Sequence, residues 1–482
     1  MRAQIRSPHP LSSQEDVAGA INHLDSTALG SYHRNHGLIR LAQDTSFWNP
    51  RNEPTLARLS VFVHEYLHFN HNFSTVVGLY DFVAQLRLLR PFCNTVDVNG
   101  RSLGSAALSA EARTEVKNLL TWRSHLRGGT APHVKSSLRR TRAHPPFIGF
   151  KHNAFTAKLA AQELKCHGVI VMFDGTAVGT GNTPLEVSLG SEILMEGCAV
   201  EAECILLERS GASAETIRDS VPVYPYLTAR TVFEGIAGVS PSSKFMCSIC
   251  VLALQSTDPG DAFIQIAQAC KRPGGAFSKL DEESALERFK ASSGDFFRTS
   301  IKKIIDNLLP LEIAPFRERG RAGRGLVRMI EWCNVLLQQR VKDELFELTA
   351  LDKAPDLEPL VELLRTMPVC PVIQQLDVFD QTDELIFFSD QEVPAEFVSE
   401  IAAAQSLLHF SDSHLTADGS ILPTPNAQAR DCLFVNACQA PLAISKSQTC
   451  RRAPWESFSA DEPLGCWYAQ GVVAARGLLN IE

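Results

Sequence analysis

The sequence predicts an α+β protein, mainly α, and three observations lead to that class. Most of the chain consists of long segments in which apolar residues recur every three or four positions. Only a few short β-branched runs read as strands. The composition, 45% hydrophobic and 21% charged over 482 residues, is ordinary for a globular protein with room for a large core.

In chain order, HGLIRLAQD (36–44) is a strand candidate in an otherwise irregular start. NEPTLARLSVFVHEYLHFNHN (52–72) reads as the first helix, with Pro54 suited to its first turn. STVVGLYDFVAQLRLLR (74–90) reads as the second, and a third is expected near 109–126. Residues 127–153 are basic and aperiodic, and are expected to form a long loop insert. HGVIVMFDG (167–175) and LEVSL (185–189) read as strands. The glycines between them, Gly175, Gly179 and Gly181, mark a turn; without a following Lys-Ser/Thr they do not make a phosphate loop. GSEILMEGCAVEAECILLERSG (190–211) reads as a helix with Ser191 as N-cap. Helices are then expected at 225–236, 242–255, 258–271, 283–308, 323–348, 356–366 and 395–409. A small sheet is expected within 370–388, and a basic, flexible connection at 316–325.

The net charge of −8 argues against nucleic acid as the main partner. The start of the chain has no continuous apolar run, and no window reaches the roughly 18 apolar residues of a membrane span. The 13 cysteines suit buried thiols in a reducing compartment, and Cys247 and Cys250, in an apolar helical run, read as core. A cytoplasmic protein without a membrane partner is expected.

The chemistry concentrates in VFVHEYLHFNHNFST (61–75). His64 and His68, four apart on a helix, place both imidazoles on one face, where one zinc ion could take a nitrogen from each. Glu65, about 100° around the helix, is placed to act on a water at the open side of the metal, as in H-E-x-x-H. There the metal brings the water's pKa to about 7, and the glutamate takes the proton. Leu59, Phe62, Val63, Tyr66, Phe69 and Phe73 make the opposite side apolar, so the histidines should face an internal site. His71 is expected behind the ligands or near the substrate. A catalytic zinc usually takes a third protein ligand. Glu196 is the candidate, on a helix where Gly197 and Ala199 would permit close approach to the first helix. Glu192 and Glu203 share its face, and one of them could orient a ligand histidine. Tyr224, Tyr226 and His152 are candidates for an oxyanion donor.

HEYLH with the downstream LMEGCAVEAE resembles the zincin metallopeptidases in their gluzincin arrangement, over about 60–215. Ser74 stands where the metzincins carry a third histidine, and Val200 where several gluzincins carry aspartate. The resemblance implies zinc held by His64, His68 and Glu196, with Glu65 as general base. It also implies a helix pair beside a small sheet whose edge strand holds the peptide. The expected organisation is a zincin-like domain at 1–215, including the 127–153 insert, followed by a mainly helical region at 216–482. That region is left to shape the cleft, bind a regulatory protein partner or restrain activity. The expected function is hydrolysis of a polypeptide substrate. The alternatives are another metal-dependent amidohydrolase, or a non-catalytic helical interaction protein with a structural histidine pair.

Overall fold

A computed structural model of the chain describes residues 30–42, 56–131, 134–135, 138, 145–159, 162–178, 183–208, 211–271, 279–353, 370–377, 382–387, 393–438, 447–457 and 466–476. The first elements are β1 (Gly30–His33), β2 (Leu38–Leu41), α1 (Leu56–Ser74), α2 (Val76–Cys93) and α3 (Ala110–Arg127). Three strands follow: β3 (Phe147–Leu159), β4 (Gln162–Phe173) and β5 (Leu185–Leu189). Next come α4 (Ser191–Glu208), α5 (Ala214–Ser220), α6 (Thr228–Ala237), α7 (Ser243–Ala253) and α8 (Pro259–Ala269). The helical run continues through α9 (Lys279–Lys303), α10 (Leu309–Ile313), α11 (Gly320–Lys342) and α12 (Phe346–Lys353). A hairpin, β6 (Pro371–Asp377) and β7 (Thr382–Phe387), precedes α13 (Ala395–His414), α14 (Ser447–Arg452) and α15 (Trp467–Ala475). The protein is α+β and mainly α. Among the described residues no helix is long and apolar enough to cross a membrane.

Helix α1 has no glycine or proline, and it is buried around its whole circumference from Leu59 to Ser74. Phe69 and Phe73 pack edge-on against Trp332 of α11, with ring centroids 5.4 and 5.7 Å apart. The Thr75 hydroxyl accepts from the Gly78 N–H at 3.2 Å, which ends α1 and caps α2. Elements from both sides of residue 215 share one buried apolar cluster running from Leu38 to Ala475. They also share a sheet of order β1-β2-β6-β7, in which β2 pairs parallel with β6 (Ile39 opposite Val372). The second sheet, β3-β4-β5, is antiparallel. Cys247 and Cys250 are buried in α7.

Three expectations change. Residues 147–153, expected within a loop insert, belong to β3, which pairs with β4 from Phe147 to Leu159. Its basic and glycine-containing start hides the strand, and a distant partner supplies the hydrogen bonds. Residues 316–325 are not a flexible connection: most of them form the first turns of α11. A Cβ at Gly325 would stand 1.9 Å from the Glu400 carbonyl oxygen of α13, so the glycine serves close helix packing. The single helix expected at 323–348 breaks into α11 and α12 at Asp343, whose extended backbone and side-chain bond to the Leu345 N–H (3.0 Å) make a turn. The helix expected at 356–366, Pro54, Gly179 and Gly181 lie outside the described residues.

Among the buried ion networks of the described residues, two reach α1. Asp81 of α2 receives Arg123 at 3.0 Å and Arg127 at 2.7 Å from α3, and Arg34 at 3.3 Å. Arg34 in turn donates to Ser191 (2.9 Å) and Asn72 (3.1 Å), joining α1 and α4. At the other network, fully buried Arg340 of α11 binds both oxygens of Glu347 and the Ser74 hydroxyl, the last at 2.9 Å. Burial alone would raise the Glu347 pKa, but Arg340 and His71 outweigh it and hold it at about 2. The Asp81 carboxyl is likewise held far below its usual range: its arginines outweigh burial.

Glu347→Ala leaves the Arg340 charge buried without its partner and is expected to destabilise the chain by about 3–5 kcal/mol in urea unfolding. Both depressed carboxylates contribute stability that is complete above their unfolded pKa values, roughly 4, and is lost as the pH falls toward 2. Urea midpoints measured across this range should therefore fall steeply on the acid side, and less so in Glu347→Gln.

Candidate metal centre

Helices α1 and α4 pack against each other so that Glu203 lies at the level of His64, and Glu196 between His64 and His68. The four-residue spacing in α1 brings the two imidazoles together edge to face, with ring centroids 4.9 Å apart. Their Nε2 atoms face the same oxygen, Glu196 Oε2, at 3.3 Å from His64 and 3.5 Å from His68. These three residues offer donor atoms that all lie within 4.8 Å of one another. With bonds of about 2.0–2.1 Å, donors around one tetrahedral ion stand roughly 3.3–3.5 Å apart, so two imidazoles and a carboxylate here suit zinc in both chemistry and spacing.

The other face of His64 is also occupied. Its Nδ1 lies 2.6 Å from Glu203 Oε1, an arrangement that fixes the ring's orientation and leaves Nε2 toward Glu196. Of the two further carboxylates expected on this face, Glu203 is the one that meets a histidine. Glu192 stands at the half-exposed start of α4, 3.9 Å from Lys135.

Glu65 is buried beside this group and accepts a hydrogen bond from the main-chain N–H of Tyr32 in β1. Burial raises its pKa to about 8, with Glu196 and Glu203 adding to the rise and His64 opposing it. Burial would lower the His64 pKa, but Glu203 and Glu196 together raise it well above the usual histidine value. For His68, burial prevails over Glu196 and the pKa falls. Burial would raise the Glu196 pKa, but the two histidines hold it far below the carboxylate range.

Among the oxyanion candidates, proximity selects Tyr226, whose ring lies 6.0 Å from that of His64. Burial first, then Glu196, raises its pKa to about 12, so it keeps its proton at neutral pH. Tyr224 is buried with Lys135 over its ring at 6.0 Å, and exposed His152 lies 3.4 Å from Asp261.

Several assignments are corrected. Gly197 does not make room for α1: a Cβ there would stand 3.0 Å from the Ala229 Cβ of α6. His71, expected behind the ligands or near the substrate, meets Glu347 instead of a ligand carboxylate. It is wholly buried, 3.5 Å from Glu347; burial would lower its pKa, but Cys198 and Glu347 raise it to about 9. Ser191 is the first residue of α4, and its hydroxyl receives Arg34. Sequence reasoning did not include Tyr32, whose ring stacks on His68 (6.3 Å, 14°) and whose N–H holds Glu65. A four-residue strand carries too little period to be seen.

Comparison with known protein families, curated proteins and solved structures returns no match to this chain.

Glu203→Gln keeps the size of the side chain but removes the charge that orients His64. Zinc affinity, read by competition with a chromophoric chelator, is expected to fall by about 10–100-fold.

Proposed function

We propose that this chain is a zinc-dependent peptidase that hydrolyses a peptide bond in a polypeptide substrate. The observation that carries the reading is the convergence of the His64 and His68 Nε2 atoms on Glu196 Oε2, at 3.3 and 3.5 Å, with Glu65 buried alongside. His64, His68 and Glu196 would hold the ion. When bound, zinc supplies a Lewis acid that polarises the scissile carbonyl and makes the attacking water acidic near neutral pH.

The protein's own residues do the rest. Burial and the neighbouring Glu196 and Glu203 hold the Glu65 proton on; a cation beside them would offset that pull, and the ionised Glu65, steadied by the Tyr32 N–H, would take the proton of the attacking water and return it to the departing amine. Glu203 keeps the His64 ring in place. The Tyr226 hydroxyl, protonated at neutral pH, donates to the carbonyl oxygen as charge develops on it. Strand β1 is an edge of its sheet among the described residues, and Tyr32 puts it beside Glu65 and His68. An extended peptide laid along β1 would therefore pass the site. The 13 cysteines stand as thiols, most of them buried, which suits a cytoplasmic setting.

Glu65→Gln should keep its metal while turnover drops about 10²–10⁴-fold. His68→Ala and Glu196→Ala should lose the zinc of this site. A proteome-wide search for new termini in the native host, comparing the intact protein with Glu65→Gln, identifies the substrate. Full activity in Glu65→Gln would overturn the mechanism. Cleavage of small amides without any polypeptide product would instead point to a metal-dependent amidohydrolase.

A further inference from the structure

A second set of ligand-type side chains lies apart from the one just described. His125 in the last turn of α3, Cys166 on β4 and Asp258 just before α8 offer donor atoms that all lie within 4.8 Å of one another. We infer that these three residues form a second metal site, for a transition-metal ion of zinc type. The inference does not rest on the peptidase reading.

Three features support a built site. Asp258 occupies the N-cap position of α8, where an aspartate ordinarily accepts from the first free N–H groups of its helix. Here it makes no such bond. Its Oδ1 instead lies 3.0 Å from His125 Nε2 and accepts from the His167 N–H at 2.9 Å. The capping group has been turned toward the other two donors.

The second feature is the seat made for the imidazole. A Cβ at Gly168 would stand 3.3 Å from His125 Nδ1 and 3.2 Å from the Asn153 carbonyl oxygen, so a larger residue would crowd the ring. The Phe155 ring meets His125 edge-on at 4.6 Å. The third feature is the donor chemistry. A thiolate, an imidazole nitrogen and a carboxylate oxygen from three separate elements suit zinc and its neighbours, and not calcium or magnesium, which want oxygen alone.

Cys166 is buried, while the His125 and Asp258 side chains keep 8% and 19% exposure, which leaves a fourth position on the solvent side. Binding would take the thiolate form of Cys166, so the ion enters as the thiol proton leaves. It would tie α3, the β3-β4-β5 sheet and the start of α8 at a point remote in sequence from His64.

The test is titration of the full metal-free chain with cobalt(II), read by absorption and elemental analysis. Thiolate-to-cobalt charge transfer in the near ultraviolet reports Cys166, and the His64–His68–Glu196 group has no thiolate to produce it. The wild type should bind two equivalents and show the band. His68→Ala should bind one and keep the band. Cys166→Ala should bind one and lose it. Asp258→Asn, which preserves both the thiol and the side-chain size, should weaken the band-forming step and lose the metal-dependent rise in Tm. It serves where Cys166→Ala fails to fold. Absence of the band in the wild type, or an unchanged band in Cys166→Ala or Asp258→Asn, overturns the proposal. Failure of the peptidase reading would appear separately, as metal binding in His68→Ala equal to wild type.

Discussion

The structure depends on burying three carboxyl groups between two helices. Glu65, Glu196 and Glu203 meet at the α1–α4 interface, where His64 faces both Glu196 and Glu203, His68 faces Glu196, and the Tyr32 N–H donates to Glu65. Carboxylates taken out of water require hydrogen bonds and a compensating charge. His64 bridges two of them through its two nitrogens, and Glu65 is left with a pKa raised to about 8. Such an interface is poorly balanced by protein groups alone and well suited to a cation. That is the physical content of the metal reading.

An interface of this kind must be held still, and the surrounding fold supplies two clamps. The Asp81 network links α2 and α3 to Arg34, and through Ser191 and Asn72 to the ends of α4 and α1. The Arg340–Glu347 pair reaches α1 through Ser74 and His71. Both clamps grip α1 beyond His68 and leave the His64–His68 turn facing Glu196. Elements after residue 215 are therefore part of what positions the site. They supply Tyr226, the aromatic wall at Trp332 and the strands that extend β1-β2 into a sheet.

The second cluster follows the same logic with different donors. At His64 a glutamate is aimed at an imidazole across a helix pair. At His125 an aspartate is diverted from capping its own helix to meet an imidazole and a thiol. In both places the polar arrangement is drawn from distant parts of the chain, and at Asp258 a local capping preference has yielded to it.

The sequence by itself determined what repeats locally. The apolar period of three and four marks α1, α2, α3 and α4, and the i,i+4 spacing sets both imidazoles of α1 on one face. The seven-residue spacing of Glu196 and Glu203 placed both on one side of α4. Only the tertiary structure decided which carboxylate meets which nitrogen, that Gly197 faces α6, and that His71 belongs with Glu347. It also decided that Tyr32 lies on a strand, that 147–153 belong to β3, and that Cys166 stands beside His125 and Asp258. The reason is the range of the forces involved. Helical period is written in neighbouring residues, whereas strand pairing, helix-to-helix rotation and the meeting of buried charges depend on partners far away in the chain.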